Sequence, residues 1–126
     1  MVVGVTSQAR GRVYLSNAFS LSMVDVQDKP VTVELRRVGL DEVKAILSSG
    51  FVSAVGHPGT ASALSRILGI EVPTNRASIQ LQPGDTLVVF QLTLGRLPIG
   101  KELTEEEILN AWKEGKAYFL VVRVFR

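Results

Sequence analysis

Apolar positions along this chain follow two rhythms, and each predicts a different kind of element. Val31-Thr32-Val33-Glu34-Leu35 alternates apolar with polar side chains, the pattern of a half-buried strand. Leu87-Val88-Val89-Phe90-Gln91-Leu92-Thr93-Leu94 is at first apolar at every position, which predicts a strand covered on both faces and central in its sheet. Ala117 to Phe125 is a Val- and Phe-rich closing strand, and Val13-Tyr14-Leu15, Phe51-Val52-Ser53-Ala54-Val55 and the stretch 79–81 are shorter ones. In the second rhythm, Leu40, Val43, Ile46 and Leu47 share one side of a helix over 41–47 that Gly50 ends. Ala61, Leu64 and Leu68 do the same in a helix with Thr60 as its N-cap and Gly69 just past its end. Thr104 and Glu107 stand at capping-box spacing and open a third helix that runs through Trp112 to Gly115.

Polar and glycine- or proline-bearing turns separate these segments at Asp28-Lys29-Pro30, Val72-Pro73-Thr74-Asn75-Arg76 and Gln82-Pro83-Gly84-Asp85. Residues 1–11 read as an N-terminal extension before a single domain over 12–126, with no internal repeat and no low-complexity tract.

Composition narrows the class. At 126 residues and 46% hydrophobic content the chain is long and apolar enough to bury one real core, which excludes a disordered or fibrous protein. No apolar run reaches the roughly 18 residues a membrane span needs, and Thr6-Ser7-Gln8-Ala9-Arg10 interrupts the apolar start, so neither a membrane partner nor a secretory leader is expected. Zero cysteines fits an intracellular setting, including a hot one, and excludes thiolate metal sites. One histidine with no acidic pair beside it predicts no metal and no cofactor. A net charge of +2 is too small to coat duplex nucleic acid but allows a local basic pocket.

The candidate chemistry centres on Val55-Gly56-His57-Pro58-Gly59-Thr60, a turn that carries that histidine to a helix start. Unpaired N–H groups and the helix dipole favour an anion there, and an imidazole exchanges protons near neutral pH. The turn is therefore either a satisfied structural feature or a phosphate site with a proton donor beside it. Asn17, Ser20 and Ser22 lie in a hydroxyl-rich loop pinned by Phe19 and Met23, and serve either local backbone groups or a polar ligand. Arg96, just past the central strand, is either a solvated charge or a bidentate phosphate clamp.

Taken in order, Tyr14-Leu15-x-Asn17-Ala18-Phe19-Ser20-x-x-Met23, Gly56-His57-x-x-Thr60, Asn75-Arg76, Gln91 and Arg96-Leu97-x-x-Gly100-Lys101 form one pattern. It resembles the type III anti-CRISPR ring nucleases of archaeal viruses, over roughly residues 12 to 125. The resemblance implies a homodimeric α/β domain with a mixed sheet of about five strands flanked by helices. It implies a pocket for cyclic tetra-adenylate, a ring of RNA that signals infection, and its cleavage without metal in the cytoplasm of an infected archaeal cell. His57 would be the general acid. Arg76 and Arg96 would hold phosphates, and Asn17, Ser20, Ser22, Gly56, Thr60, Gln91 and Lys101 would line the ligand.

The chemistry fits those parts. RNA brings its own nucleophile, the 2′-hydroxyl, so the protein needs mainly to align attack, steady the phosphoryl charge and protonate the leaving oxygen. One departure stands out: many relatives carry a glutamate where this chain has Ile99. That carboxylate would be a proton acceptor or a partner that orients the histidine, and Glu102, close in sequence, is a candidate to stand in for it. The alternatives are a protein that sequesters the ring without cleaving it, and a viral scaffold or nucleic-acid-binding protein.

Overall fold

The computed structural model describes residues 11–93 and 102–125. Five strands and three helices follow one another as β1 (Val13–Ser16), β2 (Thr32–Val38), α1 (Leu40–Leu47), β3 (Val52–Ser53), α2 (Pro58–Leu68), β4 (Thr86–Leu92), α3 (Glu105–Lys113) and β5 (Ala117–Phe125). A single 3-10 turn, Leu21–Met23, interrupts the passage from β1 to β2.

The strands make one mixed sheet in the order β2-β5-β4-β1-β3. β1 runs parallel to both β3 and β4, with Tyr14 opposite Val52 and Leu87, whereas β5 is antiparallel to β4 and β2. The apolar run of β4 does sit centrally, and Leu87, Val88, Val89 and Phe90 are all buried. Alternation along β4 and β5 sends Val88, Phe90, Phe119 and Val121 to one face and Leu87, Val89, Val122 and Val124 to the other.

All three helices cover the first face. Val43 and Leu47 of α1, Ala61, Leu64 and Leu68 of α2, and Ile108 of α3 bury there, as their spacing predicts. Phe90 and Phe119 are 5.2 Å apart, with Trp112 of α3 set 6.3 Å and 5.5 Å from them. Among the described residues the second face has no α-helix. Phe19, Met23, Val24, Ile79 and Leu81 close it from the loops, leaving Leu21, Val26 and Leu35 exposed at 81%, 63% and 54%.

Asp85 staples the turn 82–85 to the start of β1. Its buried carboxylate accepts from Arg12 N and Gln82 N, both at 2.9 Å, while Arg12 O accepts from Thr86 N at 2.8 Å. Two backbone donors that the turn would otherwise strand are thereby satisfied.

Several boundaries differ from the sequence reading, among them that of β2, which runs on past Leu35 to Val38. α2 begins at Pro58, with His57 as its N-cap, so Thr60 is an inner residue of the first turn. Proline suits the first helical position because its fixed φ is already helical and its missing N–H is not needed there. The strand over 51–55 shrinks to the pair Val52–Ser53, and 79–81 makes only a bridge, between Leu81 and Val24. Of the extension over 1–11, residues 1–10 lie outside the described residues.

One surface pair ties β2 to α1. Arg36 Nη2 and Nη1 donate to the two carboxylate oxygens of Glu42 at 2.6 Å and 3.2 Å. That hydrogen bond holds the Glu42 carboxyl below the usual glutamate range. A carboxyl lowered by folding adds stability above its ordinary range and loses it as pH falls through the lowered value. Glu42→Gln is therefore expected to lower the melting temperature slightly at neutral pH, because the pair is exposed. The difference from the parent should vanish once pH falls well below that lowered value, where both side chains are neutral. Melting curves across that range check it, and a gap that persists in acid would contradict the assignment.

Candidate functional site

β3, β1 and β4 are parallel, so their carboxyl ends reach one edge of the sheet, the edge where ligands bind in open sheets of this kind. Asn17 leaves β1 there, and Ala54, Val55, Gly56 and His57 carry the chain from β3 into α2. The segment 73–78 folds over this exit. Asn75 N donates to Val55 O at 2.8 Å, Asn75 Nδ2 to Ser53 O at 2.6 Å, and Ser53 Oγ to Pro73 O at 2.7 Å. Asn75 thus takes the carbonyls that a further strand would have used.

A cleft of about 410 Å³ opens between the two segments, lined by Asn17, Gly56, His57, Arg76 and Ser78 among others. Arg76 lies along the chain it covers, with Nε donating to Gly56 O at 3.1 Å. A side chain at Gly56 would put its Cβ 3.2 Å from Arg76 Cγ and crowd the guanidinium. The terminal Nη groups of Arg76 meet no protein partner among the described residues, so its charge is available to the cleft.

His57 has extended backbone angles (φ −121°, ψ 128°) and makes no side-chain cap bond to α2. Its imidazole instead reaches across to Glu102, Nδ1 to Oε1 at 3.0 Å. The contact depends on how closely α2 and α3 approach at their N-termini. A Cβ at Gly59 would lie 2.6 Å from Leu103 O and 3.3 Å from Glu105 N, a separation that backbone cannot tolerate. Arg66 Nη1 donates to Glu105 Oε2 at 2.8 Å, and the Thr104–Glu107 capping box holds the turn that presents Glu102.

The positions singled out in the sequence separate into groups. Asn17, Gly56, His57 and Arg76 come together around the cleft. Ser20 and Ser22 bond each other, Oγ to Oγ at 2.6 Å, on the exposed 3-10 turn and do not line it. Thr60 is buried in the first turn of α2, and Gln91 Nε2 donates to Leu92 O at 3.0 Å at the end of β4. Arg96, Ile99 and Lys101 lie outside the described residues. Sequence reasoning left one partner without a role and named the other, Glu102, without its geometry. Asn75 stood in the family pattern without a role, and the His57–Glu102 contact spans 45 positions, which no local spacing reveals. Among the described residues no group of three or more His, Asp or Glu side chains is placed to hold a metal ion. No described helix is long and apolar enough to cross a membrane.

Comparison with known proteins places this arrangement. B116 of Sulfolobus turreted icosahedral virus shares the fold with a TM-score of 0.66 at 25% sequence identity, covering 90% of this chain and 99% of that one. ORF117 of Acidianus two-tailed virus is 35% identical over 107 residues, 82% of this chain and 83% of that protein. Protein 26 of Sulfolobus islandicus filamentous virus is 35% identical over 105 residues, 79% of this chain and 86% of its own length. The pattern of the STIV B116-like family matches residues 13–118, from β1 through the cleft to the start of β5. The chain accordingly belongs to the STIV B116-like family, whose compared members are proteins of archaeal viruses.

Proposed function

We propose that this chain is a ring nuclease that binds cyclic tetra-adenylate at the carboxyl edge of β1 and β3 and cleaves it, so disarming type III CRISPR defence in an infected archaeal cell. The observation that carries the reading is the meeting of Asn17, Gly56, His57 and Arg76 around one cleft. In the reaction, a ribose 2′-oxygen forms a bond to the adjacent phosphorus and loses its proton to water. The bond from phosphorus to the 5′-oxygen breaks, and that oxygen takes a proton from Nε2 of the His57 imidazolium. The product is a linear strand with a cyclic 2′,3′-phosphate. Arg76, which lines the same cleft as His57, supplies the positive charge for the phosphoryl oxygens as negative charge gathers on them. None of these roles requires a divalent ion.

A four-nucleotide ring presents repeated phosphates, whereas one chain offers one histidine. The reading therefore includes a two-fold dimer, for which the exposed Leu21, Val26 and Leu35 of the second face supply apolar surface.

Purified protein incubated with cyclic tetra-adenylate in excess chelator tests the reading. Linear products ending in cyclic 2′,3′-phosphate are expected. Tight binding with the ring left intact would instead establish sequestration, the outcome that Ile99 in place of a glutamate favours. Activity that disappears with chelator and returns with a divalent ion would overturn the mechanism.

A further inference from the structure

We propose that Glu102 is the positioning residue of His57, holding the Nδ1 proton so that Nε2 faces the scissile phosphate. The inference rests on the ring-nuclease reading for its consequence, but on geometry for its existence. The carboxylate lies 3.0 Å from Nδ1, and Gly59 and the capping box at Thr104 fix the segment that carries it.

The chemistry explains why such a partner matters. A histidine that donates from Nε2 must keep its other proton on Nδ1 when it is spent. A free imidazole in water prefers the opposite arrangement. A carboxylate on Nδ1 reverses that preference, turns the ring and stabilises the imidazolium that precedes proton transfer. Among the described residues, the other charged groups near the ring do not compete for this role. Arg76 bonds Gly56 O from across the cleft, and Glu105 pairs with Arg66. The described residues thus give Nδ1 one carboxylate, at 102.

The test uses the fact that this chain has one histidine, so imidazole nitrogen spectra report His57 alone. In the full-length protein at a pH where the ring is neutral, nitrogen shifts should show the proton on Nδ1. Glu102→Ala should move it to Nε2 and slow single-turnover ring cleavage by about 10–10²-fold, with ring affinity unchanged. Glu102→Gln keeps an oxygen acceptor without the charge, so it should retain the Nδ1 proton and recover part of the rate. Glu102 is exposed, and melting temperature verifies that the variants remain folded. A parent ring already protonated on Nε2, or a proton position unmoved by Glu102→Ala, would overturn the proposal. Equal losses of affinity and rate would also overturn it, because Glu102 would then touch the ligand. If the proton moves as expected but the parent leaves the ring intact, the positioning contact stands and the nuclease reading falls.

Discussion

His57→Ala is expected to slow single-turnover cleavage of cyclic tetra-adenylate by about 10²–10⁴-fold while leaving its affinity close to that of the parent. The split between rate and affinity follows from the role. A general acid acts on the leaving oxygen only as the bond to phosphorus breaks, so its loss raises the barrier without removing ground-state contacts. The substitution is also gentle on the fold. The imidazole is about half exposed and caps no helix N–H, and the His57 carbonyl still accepts from Ala61 N at 3.0 Å. Parallel measurement of binding and of rapid-quench cleavage gives both numbers. Equal rates for parent and variant would remove the histidine from the chemistry.

Phe90→Ala is expected to cost about 3–5 kcal/mol of folding stability, read as a lower denaturation midpoint with an unchanged slope. Phe90 is 1% exposed at the centre of the sheet and touches both Phe119 and Trp112. Deleting its ring opens a cavity between β4, β5 and α3 that rigid neighbours cannot fill. Part of the loss should appear at α3, whose seat includes Trp112, and therefore at the turn that delivers Glu102. Hydrogen exchange localises that effect. A cost below about 1 kcal/mol would mean that the helix collapses into the gap and that the aromatic trio is not the keystone of this face.

What could be read from the sequence was what local periodicity and local caps encode. The closing strand at Ala117–Phe125, the helix Leu40–Leu47 and the Thr104–Glu107 capping box stand where their patterns predict. The start of α2 did not, because Pro58 serves equally as a turn residue and as the first residue of a helix, and only neighbouring contacts choose between them. The strand over 51–55 shortened for a non-local reason, since Asn75 occupies the carbonyls of Ser53 and Val55. Of the candidate site, Asn17, Gly56, His57 and Arg76 were legible and do meet. Glu102 was legible as a stand-in for the carboxylate absent at Ile99, but its direct contact with His57 was not, because that arises from two helix N-termini packing across Gly59, a fact of tertiary structure. Ser20 and Ser22 read as ligand donors because hydroxyl-rich loops often are, yet each is the other's partner.

The way Asn75 closes the β3 side of the sheet also bears on how copies of this protein could associate. At the opposite side, β2 pairs with β5 alone among the described residues, and every second residue of its seven turns backbone N–H and C=O groups outward. In the vocabulary of polymer chemistry the sheet is a monofunctional unit, with one reactive end and one end already quenched. Two such units joining through β2 consume both reactive ends, and growth stops there. A repeat unit for a fibre needs two, and among the described residues this sheet presents one open edge rather than the pair that open-ended strand addition requires.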